Sequence, residues 1–234
     1  MIPLFDPRYL MFMAPAFIIM LVVQWYVQSA YKKWSQVPAR SRMSGAQAAQ
    51  RLIQRGGLYD VSIEGVSGNL TDHYDPRKKI LRLSQGVHQS NSVAALAIAA
   101  HELGHAMQDK DDYFPLRFRA ALVPAVNIGS YLGWILIFIG MLLRFTELAW
   151  LGVAVFSAGA IFALATIPVE LNASSRAKRL LVESGLIVGD DEMRGVNNVL
   201  NAAALTYVAA LITAVLQLLY YVTLIFGMGG RRRG

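Results

Sequence analysis

No cysteine occurs in the 234 residues. That absence excludes a disulfide framework, a thiol nucleophile and a thiolate-held metal site. Histidine is scarce too: there are four in the chain, so a site built on imidazole draws on a small pool. Charge is thin, with 16% charged against 55% apolar residues. Ordinary soluble domains carry roughly a quarter charged residues, so this balance points to a chain that lies partly in lipid. The formal net charge of +7 is scattered among apolar stretches rather than gathered in one basic region. It reads as a topology signal and argues against a nucleic-acid partner. There is no internal repeat, and no low-complexity tract beyond Arg231-Arg232-Arg233.

Four uncharged apolar stretches are present: Tyr9 to Ala30, Ala120 to Leu143, Leu148 to Val169 and Ala202 to Met228. Each reaches the roughly 20 residues that a helix needs to cross the hydrocarbon core. The first is too long for a signal-peptide core and has no basic cluster before it. It ends in Trp25, Tyr26, Tyr31 and Trp34 with Lys32 and Lys33, an interfacial belt, and reads as a retained anchor. The second and third are joined only by Arg144-Phe145-Thr146-Glu147, which demands a tight helical hairpin. Gly129 and Gly133 form a G-x-x-x-G pair that is either a close helix contact or two small residues among many. Pro15, Pro124 and Pro168 are candidate kinks, which membrane helices tolerate.

The polar region before the second stretch has its own order. Ser44 to Arg55 is an amphipathic helix pattern with Ser44 as cap and Gly56-Gly57 as stop. Val61 to Val66 and Lys79 to Leu83 alternate like strands, and Asp75-Pro76-Arg77 between them is a turn signal. The expected fold class is a mainly α integral membrane protein of about four transmembrane helices, with a small α+β extramembrane domain holding a β-hairpin or short sheet. The expected organisation is an anchor over 1–30, an extramembrane part over 31–119, a transmembrane hairpin over 120–169, a helical segment over 170–201 broken near Gly185 and Gly189, and a last span with basic tail over 202–234.

Two of the four histidines fall in His101-Glu102-Leu103-Gly104-His105. Val93 to Met107 around them is alanine-rich and free of proline, a strong helix former, with Asn91 and Ser92 as candidate caps. On a helix, the spacing i, i+4 places both imidazoles over one turn, where they are candidate Zn²⁺ ligands. Glu102 beside the first is then the candidate general base for water at the metal. Gly104 allows another element or the substrate backbone to come close. A catalytic zinc needs a third ligand. His73 and His88 lie upstream, and Glu147, Glu170, Glu183, Asp190, Asp191 and Glu192 downstream. Glu170 is the best candidate, because a carboxylate at the end of an apolar stretch is costly unless paired or metal-bound. Two crossings separate it from the histidines, which puts all three on one side of the membrane. Glu147 lies one crossing away and fails. Ser174, four residues after Glu170, shares its face and is a candidate partner for a ligating imidazole.

Several stretches together resemble the YugP-type membrane zinc metallopeptidases of bacteria: Gly68-Asn69-Leu70-Thr71-Asp72-His73-Tyr74-Asp75-Pro76, Leu83-Ser84, Ser92-Val93-Ala94-Ala95 running into Ala99-Ala100-His101-Glu102-Leu103-Gly104-His105-Ala106, and Pro168-Val169-Glu170-Leu171-Asn172-Ala173-Ser174. The resemblance implies a multi-span membrane peptidase with a zincin-like site, His101, His105 and Glu170 as ligands and Glu102 as base. Ser174 departs from the wider pattern, in which aspartate often stands four residues after the ligating glutamate. His73 and Tyr74 read either as groups reaching toward the substrate or as turn and strand structure. Arg176 reads as an oxyanion stabiliser or a headgroup contact.

The leading reading is therefore a membrane-anchored zinc endopeptidase acting on membrane-associated or unfolded proteins, with the bilayer and a peptide as its partners. A scaffold with structural zinc is the alternative, but such a site has no need of Glu102. A transporter is disfavoured, since no ionisable residue lies inside an apolar stretch. Eleven basic residues near span ends fall on the side of the histidine pair (Lys32, Lys33, Arg40, Arg42, Lys110, Arg117, Arg119, Arg176, Lys178, Arg179, Arg194) and five on the other (Arg8, Arg144, Arg231, Arg232, Arg233). The positive-inside rule then expects a multi-pass protein of the inner (plasma) membrane with its zinc site facing the cytoplasm.

Overall fold

The computed structural model describes residues 7–229; the Arg231-Arg232-Arg233 tail lies outside the described residues. In chain order the elements are α1 (Pro7–Ser35), α2 (Gly45–Gly56), β1 (Ser62–Val66), β2 (His73–Asp75), β3 (Ile80–Ser84), α3 (Gln85–His88), α4 (Val93–Lys110), α5 (Phe114–Leu142), α6 (Thr146–Phe156), α7 (Ala158–Glu183) and α8 (Asp190–Gly229). Four helical stretches are long and apolar enough to cross a membrane: Pro7–Ser35, Phe114–Leu142, Thr146–Glu183 and Asp190–Gly227. The described residues are thus mainly helical, with four candidate membrane spans and one small sheet.

Composition changes inside these helices rather than between them. Residues 30, 119, 169 and 201, where the sequence suggested boundaries, all lie within continuous helices. The third stretch is interrupted once, at Ser157 between α6 and α7. The Ser157 hydroxyl donates to the Ala154 carbonyl at 2.7 Å, the kind of local bond that loosens a helix. By internal contacts the chain forms two compact units. Among the described residues, the apolar unit comprises 7–23, 117–167 and 206–229; the polar unit comprises 24–116 and 168–205.

In the apolar unit, α5 meets α6 through small residues. A β-carbon at Gly133 would lie 2.7 Å from the Phe156 nitrogen, and one at Gly152 would lie 2.6 Å from the Ile137 nitrogen. Gly129 faces the Val155 carbonyl oxygen, so the G-x-x-x-G pair does mark a close helix contact. Such contacts matter in lipid, where close packing replaces hydrophobic collapse as the driving force.

The polar unit holds the larger core, in which Leu52, Leu81, Leu83, Leu96, Leu103, Leu181 and Leu186 are fully buried. α2 begins with a capping box, Ser44 and Gln47 each bonding the other's backbone N–H, and stops at Gly57 in the left-handed region (φ 62°). The sheet has the order β1-β3-β2. β3 pairs antiparallel with β2, giving the hairpin, and parallel with β1. The Asp75 carboxylate accepts from the Arg77 and Lys78 amides at 3.0 and 3.2 Å, which makes the turn. Leu81 and Leu83 face the core, while Arg82 between them pairs outward with Glu64 and Asp75. α4 starts at Ser92, whose hydroxyl accepts from the Ala95 amide at 3.2 Å. Its alanines at 94, 95, 97, 99, 100 and 106 are buried to within 1% of completely, so neighbours pack on nearly every face of this helix. α7 and α8 are joined through Gly185 (φ 64°) and Gly189 (φ 86°), the break expected from sequence.

Candidate metal centre

All the site residues belong to the polar unit. α4 projects His101 and His105 from one face, one turn apart, their ring centroids 4.9 Å apart and nearly perpendicular. Glu170 comes from α7. Its Oε2 lies 3.3 Å from His101 Nε2 and 3.6 Å from His105 Nε2. One ligand atom from each of the three falls within 4.8 Å of the others. The Glu170 side chain is only 4% exposed, so this carboxylate stays charged only with partners.

The approach of α7 depends on one glycine. A β-carbon at Gly104 would overlap the Ala173 carbonyl oxygen and lie 3.0 Å from its carbon. Glycine in a helix interior costs about 1 kcal/mol relative to alanine, and here that cost admits the backbone carrying Glu170. Gly104→Ala is therefore expected to push α7 away. Overpacking of this kind costs about 1–3 kcal/mol, and the three donors separate. A lower melting temperature together with a loss of bound zinc is the expected result; parent-like values of both would show that the contact can relax.

The outward-facing ring nitrogens have partners. Ser174 Oγ is hydrogen-bonded to His101 Nδ1 at 3.2 Å, and Gln108 Oε1 to His105 Nδ1 at 3.0 Å. Both Nε2 atoms are thereby directed at Glu170. Two imidazole nitrogens and a carboxylate oxygen, converging and oriented from behind, are a donor set that fits Zn²⁺ with one position left open.

Glu102 points toward the sheet. Its Oε2 accepts from the Tyr74 amide at 3.1 Å. Burial lifts this carboxyl above its usual range, and the imidazoles of His101 and His105 pull partly the other way. A raised value suits a group that must accept a proton near neutral pH. The Tyr74 hydroxyl donates to Asp109 at 3.0 Å, and Lys79 pairs with the same carboxylate at 2.5 Å. β2 is thus tied to the end of α4.

The structure brings together His101, Glu102, His105, Glu170 and Ser174. It does not bring His73 to them: that ring is hydrogen-bonded to the Thr71 carbonyl oxygen at 2.8 Å and lies 3.4 Å from Arg82 Nη1. Strand alternation explains this, since His73 shares a register pair with outward-facing Arg82. Arg176 pairs with Asp111, donates to Asn172 at 2.8 Å and lies over the Tyr113 ring, so its guanidinium is already engaged. Two participants escaped the sequence. Gln108, three residues after His105 and so on its face, was legible in principle. The Tyr74 amide was not, because a backbone donor has no residue identity.

The family model described as "Putative neutral zinc metallopeptidase" matches residues 9–226. The chain is 46% identical over 199 residues to the protein described as "Putative membrane protease YugP" from Bacillus subtilis (strain 168), covering 85% of this chain and 88% of that one. No solved structure matches. With its apolar helices, its His-His-Glu cluster and these likenesses, the chain belongs to the zinc metallopeptidase family that the model describes.

Proposed function

We propose that this protein is a membrane-embedded zinc endopeptidase that hydrolyses peptide bonds of membrane-associated or unfolded proteins, with Glu102 as general base. The observation that carries this reading is the convergence of His101, His105 and Glu170 with a carboxylate on the neighbouring residue of the same helix turn. His101, His105 and Glu170 would hold the metal. When bound there, Zn²⁺ supplies Lewis acidity, acidifying a water molecule and polarising a substrate carbonyl. Glu102 takes the proton from the attacking water. The Tyr74 amide fixes one of its oxygens and leaves the other to receive it. Glu102 then returns the proton to the departing amine. The test is zinc content and casein hydrolysis by the purified protein, parent against Glu102→Gln. Zinc binding with no hydrolysis by the parent would overturn it.

Substrates held at or in the bilayer follow from four apolar helices in the same chain. The excess of basic residues on the histidine side supports a cytoplasmic site in the inner membrane. A reporter enzyme fused after Gly234 is accordingly expected to be active only when matured outside the cytoplasm. Activity confined to the cytoplasm would invert the arrangement.

A further inference from the structure

Gln108 is the one fully buried amide among the described residues, at 0% exposure. Its side chain makes three polar contacts: Oε1 to His105 Nδ1 at 3.0 Å, Nε2 to the Val169 carbonyl at 2.7 Å, and Nε2 to Asn172 Oδ1 at 3.0 Å. The last two partners lie on α7, on either side of Glu170. Asn172 Oδ1 also receives Arg176 Nε at 2.8 Å.

The order of donors and acceptors along this chain is forced. A guanidinium can only donate, so the Asn172 atom facing Arg176 must be its oxygen. That oxygen and the Val169 carbonyl can only accept, so the Gln108 atom facing both must be its NH₂. The Gln108 oxygen is then turned to His105, and an amide oxygen only accepts. His105 Nδ1 must carry the proton, and Nε2 presents its lone pair toward Glu170. Ser174 imposes nothing comparable on His101, because a hydroxyl both donates and accepts.

We infer that Arg176, Asn172 and Gln108 form a polarity relay that fixes the tautomer of His105 and couples its orientation to the helix carrying Glu170. Gln108 is a positioning residue in this arrangement. The relay rests on the zinc-site reading and adds to it a reason for buried amides where a metal-bound histidine more often meets a carboxylate.

The experiment uses the full-length protein in detergent, loaded with zinc and labelled with ¹⁵N-histidine. With four histidines in the chain, substitution of His73 and His88 simplifies assignment. The parent is expected to show His105 protonated at Nδ1. Gln108→Met, which keeps volume and removes the amide, is expected to weaken zinc binding about 10–100-fold in chelator competition. Asn172→Asp, which still accepts at both ends, is expected to behave like the parent, and Asn172→Leu to lose affinity. A proton on Nε2 of His105 in the parent, or parent-like affinity in Gln108→Met, overturns the relay. Should Gln108→Met fail to fold, equal zinc affinity in Asn172→Asp and Asn172→Leu overturns it instead. A parent that binds no zinc strikes the functional reading; a zinc-binding parent with an indifferent Gln108→Met strikes the relay alone.

Discussion

Replacing Glu102 by glutamine is expected to leave the fold and the zinc content intact while reducing peptide hydrolysis by about 10²–10⁴-fold, the range that a positioned general base contributes. Glutamine is nearly isosteric, and its amide oxygen can still accept from the Tyr74 amide as the Glu102 carboxylate does. It also removes a carboxyl whose ionisation burial disfavours, so the folded state has little to lose. What disappears is a basic oxygen beside the metal donors. If the chemistry depends on that oxygen, the loss falls on kcat rather than on KM. Hydrolysis at the parent's rate by a zinc-loaded Glu102→Gln would remove Glu102 from the reaction.

The second large effect is expected from Glu170→Ala. The variant keeps His101 and His105 on their helix turn but takes away the carboxylate that, among the described residues, faces both Nε2 atoms, at 3.3 and 3.6 Å. Two imidazoles alone make a poor zinc site, so stoichiometric zinc in the parent should fall to a small fraction after dialysis, and hydrolysis with it. Circular dichroism distinguishes loss of metal from loss of fold. Full zinc occupancy in this variant would mean that another group completes the shell. His73 is an unpromising substitute, being engaged with Thr71 and Arg82 on the outward side of the sheet.

Much of this architecture was legible in the sequence because it is written in local patterns. Uncharged stretches of sufficient length announce the four apolar helices, Ser44 and Gly57 announce both ends of α2, and His101 and His105 declare a shared face as soon as their segment is helical. Pairing was not legible. Alternation marks β1 and β3 as strands but says nothing of their parallel register, and β2 at three residues is too short to show a period. The break at Ser157 has Gly159 close by, but glycine is common inside membrane helices and does not by itself signal an interruption. At the site, residue type left two readings open for both His73 and Arg176, because chemistry suitable for catalysis does not reveal which way a strand turns a ring or what else a guanidinium has met. Gly104 could be read from sequence as a place of close approach, by another element or by the substrate backbone, and the contact with Ala173 realises the first.

The donors of this site are separated by 69 residues, with α5 and α6 lying between them along the chain. Synthesis runs from one end, so the histidine pair and Glu102 leave the ribosome well before Glu170. A nascent chain interrupted before α7 possesses Glu102 and the two imidazoles, yet lacks the carboxylate that completes the three-donor cluster. The metal-ligating set of the proposed site is in this sense withheld until both intervening apolar helices have been made.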